Sequence, residues 1–299
     1  MINDIRLHLI ATDMDGTFLA PPASEEVTAH LSDYSISTAR GLAAAGIVFS
    51  IATGRPAPAL QPHVDALGLE LPCICFNGAA ILRMAPGVPS TLLWQSALPS
   101  HVLPAIIEFA ETEQLCISYA LFDRSVAFCS GALHPELLQQ YMRLEGIEQQ
   151  VLESKAELLA LSPPLKIVLL TRSPDDVAIR ARAHLGDFVD VVSAEMHIEF
   201  LRPGVNKGSA LAWLCENEGV PLDSALTFGD GLNDIEMLRV SGLGVAMSNA
   251  KPAVKDAANI TSAYGNEMDG VARECERLRH EGCLLPRANG LAAFTSPQA

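Results

Sequence analysis

Toward both ends of the chain, short apolar runs that stop at acidic or small residues alternate with stretches of helical period. Residues 7–11 form such a run and end abruptly before Asp13, as a buried parallel strand delivering acids to its C-terminal edge does. Further strands are predicted at 47–52, 73–76, 225–228 and 244–247, and helices at 37–45, 207–218 and 233–240. Strand and helix in alternation predict a doubly wound α/β fold with a parallel sheet. The middle of the chain reads differently. Strands are expected at 116–120, 126–129 and 166–170 and helices near 100–113, 135–145 and 174–184, none ending in an acidic strand tip. The expected organisation is therefore a core from 1–85 and 196–299, interrupted by an inserted α+β lobe over 86–195. The stretch MAPGVPS (84–90) marks the expected exit and residues 193–197 the return. No internal repeat is present, and the tail LLPRANGLAAFTSPQA is expected to be frayed or loosely docked.

Length agrees with this division, since 299 residues correspond to two domains of roughly 150 residues each. Hydrophobic residues at 49% against 18% charged exclude a disordered or collagen-like chain. No apolar run approaches the roughly 18 residues needed to span a bilayer, so no membrane partner is expected. The N-terminus MINDIRLHLIATDMDG has no basic region followed by an apolar stretch and cleavage site, which points to a cytoplasmic protein. A formal charge of −15 repels nucleic-acid phosphate and disfavours DNA or RNA as a partner. A small phosphate remains compatible where a cation and local basic groups reverse the potential. The seven cysteines lack zinc-like spacing and are expected to be reduced, mostly buried thiols.

Four segments carry candidate chemistry. Asp13-Met14-Asp15-Gly16-Thr17 follows the first strand and projects two carboxylates into the crevice where open α/β sheets bind ligands. Its plain alternative is an Asx-rich turn. Asp230, Asn233 and Asp234 follow another strand in LTFGDGLNDIEML, where NDIEML begins a helix and so argues against a hairpin. Oxygen ligands from two strand tips suit Mg²⁺, a hard cation that also binds phosphate. Thr53, Gly54 and Arg55 in SIATGRP offer a hydroxyl, an amide and a guanidinium to phosphate oxygens, with an ordinary helix N-cap as the alternative. Lys207 in GVNKG sits at a helix start, where the macrodipole disfavours positive charge, so an anionic partner is expected, with a solvated surface lysine as the alternative.

In that order, DMDGT, SIATGRP, GVNKG and GDGLNDIEML followed by GVAMSNA resemble the haloacid dehalogenase-like hydrolases, and within them the Cof-type phosphatases with a large cap after the second motif. The resemblance covers both core halves, including Asn77-Gly78-Ala79 and Met268-Asp269-Gly270-Val271, and thins across the cap. It implies that Asp13 is a nucleophile toward phosphorus and that Asp15 is the acid and base serving leaving group and water. It further implies Mg²⁺ held by Asp13, the Asp15 carbonyl and Asp230, with Asp234 as ligand or support. Thr53 and Lys207, with amides of Asp15, Gly16 and Gly54, would hold the phosphoryl group beside Asn233, which orders the metal loop; Arg55 and Asn77 would lie near the substrate.

The implied function is Mg²⁺-dependent hydrolysis of small phosphorylated metabolites, such as sugar phosphates or a phosphorylated cofactor. A sugar phosphomutase or a non-catalytic phosphate-sensing protein on the same fold are the alternatives. One departure is the long connection from Leu19 to Thr38, which follows the nucleophile loop and is read either as a surface excursion or as part of the substrate entrance. His134, Arg143, Lys166 and His184 in the middle lobe read as solvated and receive no role.

Overall fold

The computed structural model describes residues 6–21, 29–194 and 196–285. The first half of the core runs through β1 (Leu9–Thr12), α1 (Asp33–Ala44), β2 (Val48–Ala52), α2 (Ala57–Leu67), β3 (Leu71–Cys75), β4 (Ala80–Ala85) and β5 (Val88–Gln95). The middle lobe follows with α3 (Leu103–Thr112), β6 (Cys116–Ala120), β7 (Ser125–Phe128), α4 (Glu136–Glu145), β8 (Gln149–Val151), α5 (Lys155–Leu159), β9 (Lys166–Leu170), α6 (Pro174–Leu185), β10 (Asp190–Ser193) and β11 (His197–Leu201). The chain returns through α7 (Lys207–Asn217), β12 (Ala225–Gly229), α8 (Ile235–Val240), β13 (Leu243–Ala246), α9 (Pro252–Ala257), β14 (Ile260–Thr261) and α10 (Gly270–His280).

The first sheet has eight strands in the order β14-β13-β12-β1-β2-β3-β4-β5, parallel from β14 to β3. Both of its faces are covered. Leu9 and Ala11 of β1 pack with Leu211 and Leu214 of α7, whereas Ile10 faces Leu42 of α1 and Leu278 of α10. Successive side chains of a strand point to opposite faces, so a strand buried on both sides reads as a continuous apolar run. The mixed α/β fold with a parallel core and an inserted lobe is as the sequence predicts.

The crossings differ from those expected. MAPGVPS does not leave the core; it is the turn between β4 and β5, which pair antiparallel at the edge of the first sheet, with Gly87 at φ +68. β11 belongs to the second sheet, so the chain passes between sheets after Gln95 and after Leu201 rather than at 86 and 195. Pro and Gly punctuate a hairpin as readily as a linker, and their presence alone does not separate the two. The second sheet, β10-β11-β9-β6-β7-β8, is antiparallel except for the β7–β8 pair. Ile167 and Leu169 of β9 pack under α3 and α6, and Val168 and Leu170 under α4.

The cysteine expectation is corrected at one pair. Ile117 lies opposite Phe128 in the β6–β7 ladder, so the next residues outward, Cys116 and Cys129, face each other at a Cα separation of 4.3 Å and form a disulfide. The other five are buried and lie outside that disulfide. The 19–38 stretch also resolves differently: α1 starts at Asp33, where Ser32 Oγ accepts from the Ser35 amide, and Ala20 bridges His30. Residues 22–28 of that stretch, and the tail from 286, lie outside the described residues. No helix among the described residues is long and apolar enough to cross a membrane.

Candidate active site

The tips of β1 and β12 are adjacent because these strands pair in parallel, and the Asp13 amide continues the ladder by donating to the Phe228 carbonyl at 3.0 Å. Beyond Asp13 the chain closes one wide turn, Leu19 N to Met14 O at 2.9 Å. Gly16 stands in it at φ +76, where a Cβ would lie 2.5 Å from Asp230 Oδ2. Only glycine combines that conformation with that approach. Thr17 Oγ1 donates to Asp230 Oδ1 at 2.7 Å and joins the two strand tips.

Lys207 opens α7 and is fully buried, its Nζ 2.5 Å from Asp13 Oδ1 and 2.7 Å from Asp234 Oδ1. Asp234 Oδ2 accepts the amides of Asp230 and Gly231 at 3.0 and 2.9 Å, so both of its oxygens are engaged. Burial, with Asp234 alongside, pushes the Asp13 carboxyl well above its ordinary range, against the pull of Lys207. Burial would lower the Lys207 ammonium, but Asp13 and Asp234 outweigh it and hold it above the ordinary lysine value. Burial also raises Asp230, although Thr17 opposes the shift. Two carboxylates thus share one ammonium while a third stands beside them, which leaves the group short of positive charge.

Asp13, Asp230 and Asp234 bring carboxylate oxygens within 4.8 Å of one another. With both Asp234 oxygens already engaged, Asp13 and Asp230 remain as hard oxygen donors, and with the space a Cβ at Gly16 would fill beside Asp230 they fit Mg²⁺. The Asp15 side chain is outside that group. Arg55 grips both of its oxygens, Nε to Oδ2 at 2.8 Å and an Nη to Oδ1 at 2.5 Å. Both face a cavity of about 370 Å³ that Asp13, Thr53, Gly54, Asn77, Asp230 and Asn233 also line.

At the β2 tip, Thr53 is buried and its Oγ1 accepts from the Arg55 amide at 3.1 Å. Asn77 adopts φ +55, which asparagine tolerates better than most residues, and Gly78 follows at φ +104, where a Cβ would lie 2.3 Å from the Asn206 carbonyl. This close packing sets Asn77 between the loop that carries Asn233 and the inserted lobe. Its Oδ1 accepts from Asn233 Nδ2 at 2.9 Å and its Nδ2 donates to Glu199 Oε2 at 2.7 Å.

Lys166 is not the solvated residue expected. It is 2% exposed, and its Nζ donates to Glu199 Oε1 at 2.7 Å and to the Gly54 carbonyl at 3.1 Å. Burial opposes charge on both partners, yet their mutual attraction prevails, raising Lys166 and lowering Glu199, with His197 aiding the latter. Glu199, His197, Glu145 and Lys251 also line the cavity and were not singled out from the sequence. A signal existed in β11, where His197 and Glu199 alternate with core residues Ile198 and Phe200. His134 and Arg143 are exposed as expected, and His184 stacks on Phe109 with ring centroids 5.6 Å apart.

Strand tips that converge carboxylates, a hydroxyl and a buried ammonium on a crevice beneath an inserted lobe are the architecture of a capped, doubly wound hydrolase. The chain belongs to the haloacid dehalogenase-like hydrolase family, whose model matches residues 10–274. It is 31% identical over 273 residues to the 5-amino-6-(5-phospho-D-ribitylamino)uracil phosphatase YitU of Bacillus subtilis (strain 168), covering 89% of this chain and 95% of that protein. It is 32% identical over 255 residues to the HMP-PP phosphatase of Escherichia coli O6:H1, covering 83% of this chain and 86% of that protein. A crystal structure of a haloacid dehalogenase-like hydrolase from Bacteroides thetaiotaomicron superposes with a TM-score of 0.75 at 25% identity, covering 91% of this chain and all of that one. Within the family the chain is an enzyme of the phosphoric monoester hydrolase class.

Proposed function

We propose that the protein is a Mg²⁺-dependent phosphatase of small phosphorylated metabolites that works through a phosphoryl group carried on Asp13. The observation that carries this reading is the Asp13–Lys207 contact at 2.5 Å, where Asp13 and Asp230 line one cavity. A nucleophilic carboxylate and the cation that receives a phosphate oxygen stand side by side. Asp13, Asp230 and the Asp15 carbonyl would hold Mg²⁺, which when bound neutralises phosphate charge and fixes its orientation. Asp234, with both oxygens engaged, acts through Lys207 and the loop amides.

An Asp13 oxygen attacks phosphorus and the ester oxygen leaves with a proton from Asp15. Asp15 then takes a proton from the water that cleaves the aspartyl phosphate, returning the enzyme to its starting state. Arg55 aims Asp15 at the cavity and must release one oxygen for the proton transfer. Thr53 and Lys207, with the amides of Asp15, Gly16 and Gly54, hold the phosphoryl oxygens, and Asn233 braces the metal loop through Asn77.

The test is phosphate release from a panel of phosphorylated metabolites by purified protein. Turnover should stop with chelator and return with Mg²⁺, while Ca²⁺, with longer and more flexible coordination, should restore little. Full activity in chelator overturns the metal assignment. Isomerisation dependent on a bisphosphate, without free phosphate, replaces the hydrolase reading with a mutase.

A further inference from the structure

Among the described residues, the cap side of the cavity carries two polar atoms with no partner. Glu145 Oε2, at the end of α4, and His197 Nδ1, on β11, are both shielded from solvent without a hydrogen bond, and both residues line the cavity that holds Asp13 and Asp15. His197 is 7% exposed, with Tyr141 edge-on at 5.3 Å between ring centroids. The chemistry of both atoms follows from their neighbours. His197 Nε2 lies 3.3 Å from Glu199 Oε1, and a carboxylate accepts there, so Nε2 is the engaged ring nitrogen and Nδ1 the one left without a partner. Glu145 is a carboxyl that burial lifts above its ordinary range, opposed by Lys166. Each leaves a buried polar atom of the cavity wall open to a partner.

The rest of that wall is already satisfied. Lys166 is spent on Glu199 and the Gly54 carbonyl, and the second oxygen of Glu199 on Asn77. The cations lining the cavity, Arg55 and Lys251, stand on the core side, and Arg55 is held by Asp15. Among the described residues, a leaving group directed at the cap thus meets unpaired polar atoms and carboxylates, not a free cation. Buried polar atoms left unpaired are costly, and a ligand that supplies the missing partner gains what a ligand without it forfeits.

Resting on the phosphatase reading, we propose that Glu145 and His197 form the leaving-group subsite, and that the substrate is a phosphomonoester whose alcohol carries hydroxyl or amino donors and no second anionic group. The subsite and Asp13 line one cavity, with Glu145 and His197 contributed by the middle lobe, so the donors sit on the part of the substrate that departs.

The experiment measures kcat/KM on erythritol 4-phosphate, on 4-phosphoerythronate and on para-nitrophenyl phosphate, with Mg²⁺ and the full chain. The first two differ only in a terminal CH₂OH replaced by a carboxylate, and the third has no donor. The wild-type protein should favour the polyol ester over the acid by tenfold or more. Glu145→Ala should lower the ratio of polyol to aryl ester by tenfold or more, mainly through KM, and Glu145→Gln, which keeps an acceptor oxygen, should lower it less. Equal or reversed preference between polyol and acid overturns the proposal, as does a Glu145→Ala variant that slows all three esters by one factor. Should that variant fail to fold, the wild-type comparison still decides. Absence of turnover on every ester, the aryl one included, overturns the phosphatase reading itself and is distinct from a changed preference.

Discussion

Replacing Lys166 by Met removes the cation from a pair that is almost wholly buried, Lys166 at 2% exposure and Glu199 at 6%. Breaking a buried pair from one side costs about 3–5 kcal/mol, because the remaining charge is left uncompensated. At roughly 2–4 °C per kcal/mol for a protein somewhat smaller than this, Tm should fall by about 6–20 °C near neutral pH. The pH dependence follows from the shifts. Glu199 has a folded pKa below its reference of 4.5, so its contribution is complete above about 4.5 and fades as pH falls toward the folded value. Lys166 lies above its reference of 10.5, so its contribution is complete below that reference and is lost only as pH rises through the folded value. Without Lys166, burial acts on Glu199 with less opposition, its folded pKa rises, and the variant loses stability as pH climbs. The Tm gap between wild type and Lys166→Met should therefore widen between about pH 4 and pH 7, by calorimetry or thermal fluorescence. Adding Glu199→Gln should restore part of the loss. A gap under 2 °C at pH 7, or one that does not grow with pH, refutes the buried-pair account.

Asp15→Asn should slow turnover by about 10²- to 10⁴-fold on alkyl phosphates, and by less on para-nitrophenyl phosphate, whose leaving group needs little protonation; a loss below tenfold on a poor leaving group assigns the proton transfer elsewhere. Gly16→Ala places a Cβ against Asp230 Oδ2 at a backbone φ of +76, so the Mg²⁺ concentration for half-maximal activity should rise tenfold or more. An unchanged requirement removes that turn from the metal site. Reducing the Cys116–Cys129 bond should lower Tm by a few degrees, since the cross-link restrains the unfolded chain; an unchanged Tm shows that the β6–β7 ladder holds without it.

The strand tips were legible because a parallel strand buried on both faces leaves a short apolar run, and the acid or hydroxyl that ends it has nowhere to go but the crevice. Asp13, Thr53 and Asp230 are all of this kind. Lys207 was legible for an electrostatic reason, as a cation at a helix start. The misses arise where the answer depends on pairing between distant segments. Lys166 reads as solvated until Glu199, 33 residues on, is known to lie against it. Cys116 and Cys129 look unrelated until the β6–β7 register sets them opposite. The β4–β5 hairpin was hidden because its Pro-Gly turn carries the same local signal as a domain crossing. The cap side of the cavity is assembled from α4, β10 and β11, and no local pattern announces a surface drawn from three elements.

The central claim is that Asp13 carries the phosphoryl group. Its most direct test is to mix the Asp15→Asn variant, in which cleavage of the intermediate is slowed, with Mg²⁺ and para-nitrophenyl phosphate, quench in acid within seconds, and locate added phosphate by peptide mass spectrometry. The account predicts a phosphoryl adduct on Asp13 that is lost at alkaline pH, as an acyl phosphate is, and absent from Asp13→Asn. A released nitrophenol burst with no adduct, or an adduct on another residue, contradicts it.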